Sequence, residues 1–198
     1  MTMNKRNVLK LLAAASAASL AGCLQSKQSF NAVDITGADY AKDFSLKDAN
    51  GATRTLADFK GKVVVLFFGY AQCPDVCPTT MTEMAQVKQQ LGAAADKLQV
   101  VFVTVDPERD TPEVMKAYMG AFDPSFVALV PTPEQLPAVA KDFKVYYKKA
   151  EGKTPTSYSM DHSAASFVYD PQGRLRLYVR YGTGVPAMVS DVKALLQG

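Results

Sequence analysis

The sequence predicts an α/β fold whose sheet mixes parallel and antiparallel strands. Three observations carry that prediction. Val63–Phe68 and Leu98–Val105 are short, predominantly apolar runs, the pattern of strands buried on both faces. Helical signals stand between and after them: Met81, Met84, Val87 and Leu91 recur at helical spacing, while Thr111-Pro112 and Thr132-Pro133 each place a capping hydroxyl before a proline. Toward the C-terminus, Pro171-Gln172-Gly173 separates two strand-like runs, which is a hairpin signal. A length of 198 residues suits one domain with extensions, and 48% hydrophobic content excludes wholesale disorder.

The elements follow in order. Residues 1–22 resemble an export signal: a basic start at Asn4-Lys5-Arg6, then an alanine-rich apolar run from Val8 to Ala21 that is short for a membrane span. The run ends in Leu20-Ala21-Gly22-Cys23, which resembles the lipobox of bacterial lipoproteins; that resemblance implies cleavage before Cys23 and lipidation of its thiol. Residues 23–40 are polar and aperiodic and read as a flexible tether. One domain is expected over 41–198. It opens with a strand pair, Asp43–Asp48 and Thr53–Leu56, around the tight turn at Asn50-Gly51.

A central strand is expected over Lys62–Tyr70, then a helix from about Cys77 to Leu91 and a second buried strand over Leu98–Val105. Thr111 is expected to cap a helix through Tyr118, Phe126–Val130 to form a short strand, and Thr132 to cap a helix to about Phe143. Val145–Ala150 and Ser157–Asp161 read as strands around a polar turn at Gly152–Pro155. Ala164–Asp170 and Arg174–Arg180 make the late hairpin, and Val185–Leu196 closes the chain as a helix. In this order the elements resemble a thioredoxin fold with an added N-terminal strand pair and a late β-hairpin.

Charge narrows the function. The net charge is +3, yet of 22 basic residues Lys5, Arg6 and Lys10 precede Cys23, where no acid does; the remaining 19 face 19 acids. A neutral body gives nucleic-acid binding no electrostatic footing.

Cysteine use is more telling. If Cys23 carries a lipid, Cys73 and Cys77 are left as one pair in an oxidising compartment. Spaced i, i+4 at a helix start, they are expected to share a face and reach one small ligand or each other. A helix N-terminus lowers a thiol's pKa, favouring metal binding or nucleophilic attack. A purely structural disulfide would close a very short loop and remove little unfolded-state entropy.

The only histidine, His162 in Met160-Asp161-His162-Ser163, is expected between two strands, within reach of the cysteine turn. Two thiolates with an imidazole suit copper, whereas structural zinc takes four ligands. Met81, Met84 and Met160 are further soft donors, although the first two have the spacing of core residues. Asp106, Arg109 and Asp110 follow a buried strand, where α/β folds place functional loops; the segment reads equally as a solvated, salt-bridged turn.

Gly69-Tyr70, Cys73-Pro74-Asp75-Val76-Cys77-Pro78, Val105-Asp106-Pro107-Glu108-Arg109-Asp110-Thr111-Pro112, Asp161-His162-Ser163 and Asp170-Pro171-Gln172-Gly173 occur in that order. Together, from about Phe44 to the C-terminus, they resemble the Sco/SenC proteins, copper metallochaperones of cytochrome c oxidase assembly. The resemblance implies that Cys73, Cys77 and His162 bind copper, as Cu(I) and/or Cu(II). It also implies delivery to the CuA centre of oxidase subunit II or another copper protein, on a lipid-anchored domain facing the periplasm or outside. One departure is visible: Ala71-Gln72 stands where many members have Thr-His.

Two rivals compete. A thiol-disulfide oxidoreductase of the cell envelope would use Cys73 and Cys77 as its redox pair, although thioredoxin-like enzymes have two intervening residues and this chain has three. Val76-Cys77-Pro78-Thr79 resembles the peroxiredoxin active-site segment, but Pro74 stands where that family needs a hydroxyl.

Overall fold

In the computed structural model, which describes residues 29–152 and 157–198, ten strands, β1 to β10, form three sheets. The main sheet is built on β4 (Val63–Gly69) and β5 (Leu98–Thr104). Every residue of both strands is buried, the polar Gln99 and Thr104 of β5 included. They pair in parallel, Phe67 opposite Phe102, and helix α1 (Val76–Leu91) makes the crossover. β6 (Val127–Leu129) joins β5 in parallel after helix α2 (Pro112–Gly120). Thr111 caps α2 as expected, its side chain accepting from Val114 N, with Pro112 in the first turn.

The other half of the sheet is antiparallel. β9 (Ser166–Tyr169) pairs with β4 and with β10 (Leu175–Val179). The hairpin turn is organised by the buried Asp170, whose carboxylate accepts from Gln172 N, Arg174 N, Arg174 Nε and Arg176 Nη1. Starting from the edge strand β1 (Val33–Asp34), the strand order is β1-β10-β9-β4-β5-β6. The closing helix α4 (Val185–Gln197) packs against α1 and contacts β4. This mixed sheet with flanking helices is the thioredoxin-like α/β arrangement anticipated from the element order. The expected N-terminal strand pair is also present, as β2 (Leu46–Lys47) and β3 (Thr53–Arg54).

Three expectations need correction. The tether expected over 23–40 is docked in its described later part: β1 (Val33–Asp34) pairs with β10 at the sheet edge. The buried Asp191 of α4 holds it there, accepting from Asn31 N, Asn31 Nδ2 and Ala32 N, each at 2.9 Å. A two-residue strand has no periodicity to read, so only its distant partners reveal it. Second, the helix expected after Thr132 begins later, as α3 (Leu136–Asp142). The capping bonds do form, Gln135 N to Thr132 Oγ1 and Thr132 N to Gln135 Oε1, but they close a turn rather than the first helical turn. Third, His162 does not lie between strands. It is the last residue of β8 (Ser159–His162), which among the described residues pairs only with β7 (Tyr147–Ala150). The turn expected at Gly152–Pro155 falls largely on residues outside those described, as do the export signal and Cys23. No helix among the described residues is long and apolar enough to cross a membrane.

Candidate metal centre

Strand β4 delivers the chain to the site. Gly69 ends it against Cys77: a Cβ there would meet Cys77 Sγ at 2.7 Å, Phe102 Cζ at 2.8 Å and Phe67 Cε1 at 2.8 Å, so glycine is what lets the thiol approach the strand. The chain then turns, with Cys73 N donating to Tyr70 O, and α1 begins at Val76. The two cysteines therefore do not share a helical face. Cys77 lies in the first turn of α1, whereas Cys73 sits in the turn before it, and that turn brings the thiols together.

Cys73, Cys77 and His162 converge, with their ligating atoms all within 4.8 Å of one another. No other group of three or more histidine, cysteine, aspartate or glutamate side chains among the described residues is placed to hold a metal ion. Both thiols are free; Cys77 is fully buried and Cys73 half-buried. Cys77 Sγ lies 3.4 Å from His162 Nε2. His162 Nδ1 lies 2.9 Å from the Ser163 carbonyl, which can only accept, so Nδ1 carries the proton and Nε2 presents its lone pair. An imidazole held this way through its second nitrogen is typical of metal-binding histidines. The ring stands edge-on to Phe67 and Tyr70, with centroids at 6.0 and 5.8 Å.

Burial sets the protonation states. It pushes the His162 imidazole below its ordinary value, against the smaller opposing pull of Ser163 and Asp161, so the ring is neutral and able to ligate at pH 7. For Cys77 the helix N-terminus was expected to favour thiolate. The structure reverses that: burial dominates and pushes the thiol well up, and proximity to Cys73 and Asp110 adds to the rise. Burial thus favours the protonated thiol at Cys77 in the reduced, metal-free protein. Met81 and Met84 are core residues, as their spacing predicts. Met160 is also buried but lines the cleft with Cys73, Asp75 and His162.

The loop after β5 is part of this structure rather than a solvated turn. Asp110 Oδ2 accepts from Ala71 N at 3.0 Å and from Thr104 Oγ1 at 2.6 Å, fixing the cysteine turn to the strand end. Arg109 pairs with the buried Asp106 at 2.5 Å and reaches both the cysteine turn and the segment leading into β8. Of the residues it meets there, Gln72 stands out in the sequence only as a departure from the Sco/SenC pattern, and Tyr158 carries no motif.

The profile of the SCO1/SenC family matches residues 33–197. The chain is 40% identical over 153 residues to the mitochondrial protein SCO2 homolog of Bos taurus, covering 76% of this chain and 58% of that one. It is 35% identical over 133 residues to an SCO2-like protein of Rickettsia felis, covering 67% and 65%. The chain thus spans less than two thirds of the length of these curated relatives. The structure of Bradyrhizobium japonicum ScoI with copper bound is similar at a TM-score of 0.69 and 39% identity, over 76% of this chain and 96% of that chain. The matched span contains the cysteine turn, the Asp106–Asp110 loop and His162, and the chain belongs to the SCO1/SenC family.

Proposed function

We propose that this protein binds copper through Cys73, Cys77 and His162 and delivers it to the CuA centre of cytochrome c oxidase subunit II or to another copper protein. The observation that carries the reading is the convergence of two thiols and one unprotonated imidazole nitrogen within 4.8 Å. That donor set is soft and three-fold, which suits copper better than a closed four-ligand zinc site. The copper-bound Bradyrhizobium relative supports it. Copper is cargo here, so a half-exposed ligand is useful: Cys73 is the thiol a partner can reach first, while Cys77 and His162 hold from inside.

Ligation requires thiolates. Copper uptake is therefore expected to release protons, Cys77 being the thiol whose proton is held most firmly. Reduced protein should take up stoichiometric copper; protein with Cys73 and Cys77 joined as a disulfide should take up none. Equal uptake by the oxidised form would show that the ligand assignment is wrong.

The same pair supports a second reading, thiol-disulfide exchange on the target's cysteines. Cys73, the accessible thiol, would attack a target disulfide as the thiolate, forming a mixed disulfide. Cys77 would then displace the target thiol, leaving the target reduced and the pair oxidised. The unequal exposure of the two sulfurs favours that order of attack.

We place the domain in the cell envelope on a lipid anchor at Cys23, motivated by Leu20-Ala21-Gly22-Cys23 after the apolar run. Cys23→Ala should leave an unprocessed precursor. Mass spectrometry of the wild-type protein that found residue 1 in place, or Cys23 unmodified, would overturn this.

A further inference from the structure

His162 depends on an element that cannot hold itself in place. It ends β8, and the β7–β8 pair is a separate two-stranded sheet outside the six-stranded one. An isolated two-stranded hairpin is marginal in water and needs outside support. Arg109 makes the largest share of that support, beside the Lys149–Glu108 pair and the Tyr70 contact with the Met160 backbone. Its Nη1 donates to the Tyr158 carbonyl at 2.8 Å, one residue before β8, and also to Gln72 Oε1 at 3.1 Å, next to Cys73. Its guanidinium lies 3.5 Å over the Tyr158 ring and 5.9 Å from that of Tyr70. Tyr158 in turn donates to Asp106 Oδ1 at 2.7 Å, and Asp106 holds Arg109 Nε. The guanidinium is largely withdrawn from water, and its Nη2 has no partner among the described residues. Such a group is kept for its shape: a planar fork that stacks on a ring while bonding sideways, which lysine cannot reproduce.

We propose that Arg109 is a positioning residue of the metal centre, locking the β7–β8 hairpin to the cysteine turn so that His162 stays within reach of Cys73 and Cys77. The proposal rests on the reading of that trio as a copper site. It is asymmetric. The cysteine turn has its own anchor, Ala71 N to Asp110 Oδ2, whereas the Tyr158 segment is tied to the loop after β5 chiefly by Arg109 and Asp106, with Glu108 adding a bond to Lys149 of β7 and Tyr70 meeting the Met160 backbone. Loss of Arg109 therefore acts through His162 and leaves the cysteines in place. Gln72 is the acceptor on the cysteine side, so Gln72→Ala should give the same effect more weakly.

The test is a double-mutant cycle on metal-free protein loaded with copper. Arg109→Gln should lower copper affinity by on the order of 10–100-fold, the range for groups that orient a ligand. It should also weaken the imidazole-nitrogen coupling in the electron paramagnetic resonance spectrum of the Cu(II) form while retaining the cysteine signature. Arg109→Lys should keep the fold and show the same loss of coupling. Added to His162→Ala, Arg109→Gln should cost nothing further. The proposal is overturned if folded Arg109→Gln and Arg109→Lys keep the parent affinity and spectrum, or if the loss persists undiminished in the His162→Ala background. If His162→Ala itself leaves copper affinity intact, it is the copper reading that fails. Arg109 is then judged by amide hydrogen exchange at residues 159–162 of the metal-free protein, which should accelerate in both variants; unchanged exchange would refute the brace.

Discussion

Replacing His162 with alanine is expected to cost copper affinity on the order of 10–100-fold or more, since even groups behind a ligand are worth that much. The imidazole is already prepared to ligate. Nδ1–H is tied to Ser163 O, burial keeps the ring neutral, and Nε2 faces Cys77 Sγ at 3.4 Å. Water fills the vacated position poorly for a soft ion. The thiols need no histidine to exchange with a disulfide, so Cys73 and Cys77 should still cycle between dithiol and disulfide. In cells the variant should fail in oxidase maturation while its thiols stay redox-competent. Copper affinity, thiol redox competence and oxidase activity measured on the same variant separate the two readings. Survival of both copper affinity and oxidase activity would remove His162 from the ligand set and put the thiol-disulfide reading ahead.

Phe67→Ala should cost about 3–5 kcal/mol of folding stability, the range for deleting a fully buried aromatic ring. Phe67 is 0% exposed in the central strand, with its ring centroid 5.7 Å from Phe102 and 6.0 Å from His162. The cavity would thus open on the wall that backs the imidazole, and copper affinity should fall together with stability. Phe67→Leu, which conserves more volume, should cost less on both counts. Urea unfolding of the metal-free proteins, with copper titrations beside it, measures both. A stability loss below about 1 kcal/mol for Phe67→Ala would contradict the packing described, since losses that small belong to surface positions.

Strands β4 and β5, the helices that follow them, the late hairpin and the three residues that converge at the candidate site are all legible in the amino-acid order. They rest on short-range physics. A mostly apolar run is buried, Thr111 before Pro112 caps a helix although Thr132 before Pro133 closes only a turn, and Pro171-Gln172-Gly173 turns the chain between two strands. The motif order also carried the family resemblance, which the SCO1/SenC match bears out. Other features come from packing alone, because their partners lie far apart in the chain. Cys77 and His162 are 85 residues apart, Arg109 and Tyr158 are 49, and Ala32 and Asp191 are 159. No local pattern announces that a polar stretch will dock as β1, that β8 will end on His162 beside Cys77, or that a charged loop will reach the segment leading into β8. The protonation of Cys77 is the clearest case. Its place at a helix start is legible and argues for thiolate, yet burial against Gly69 outweighs the helix end and raises the pKa, and burial is a property of the packed molecule alone.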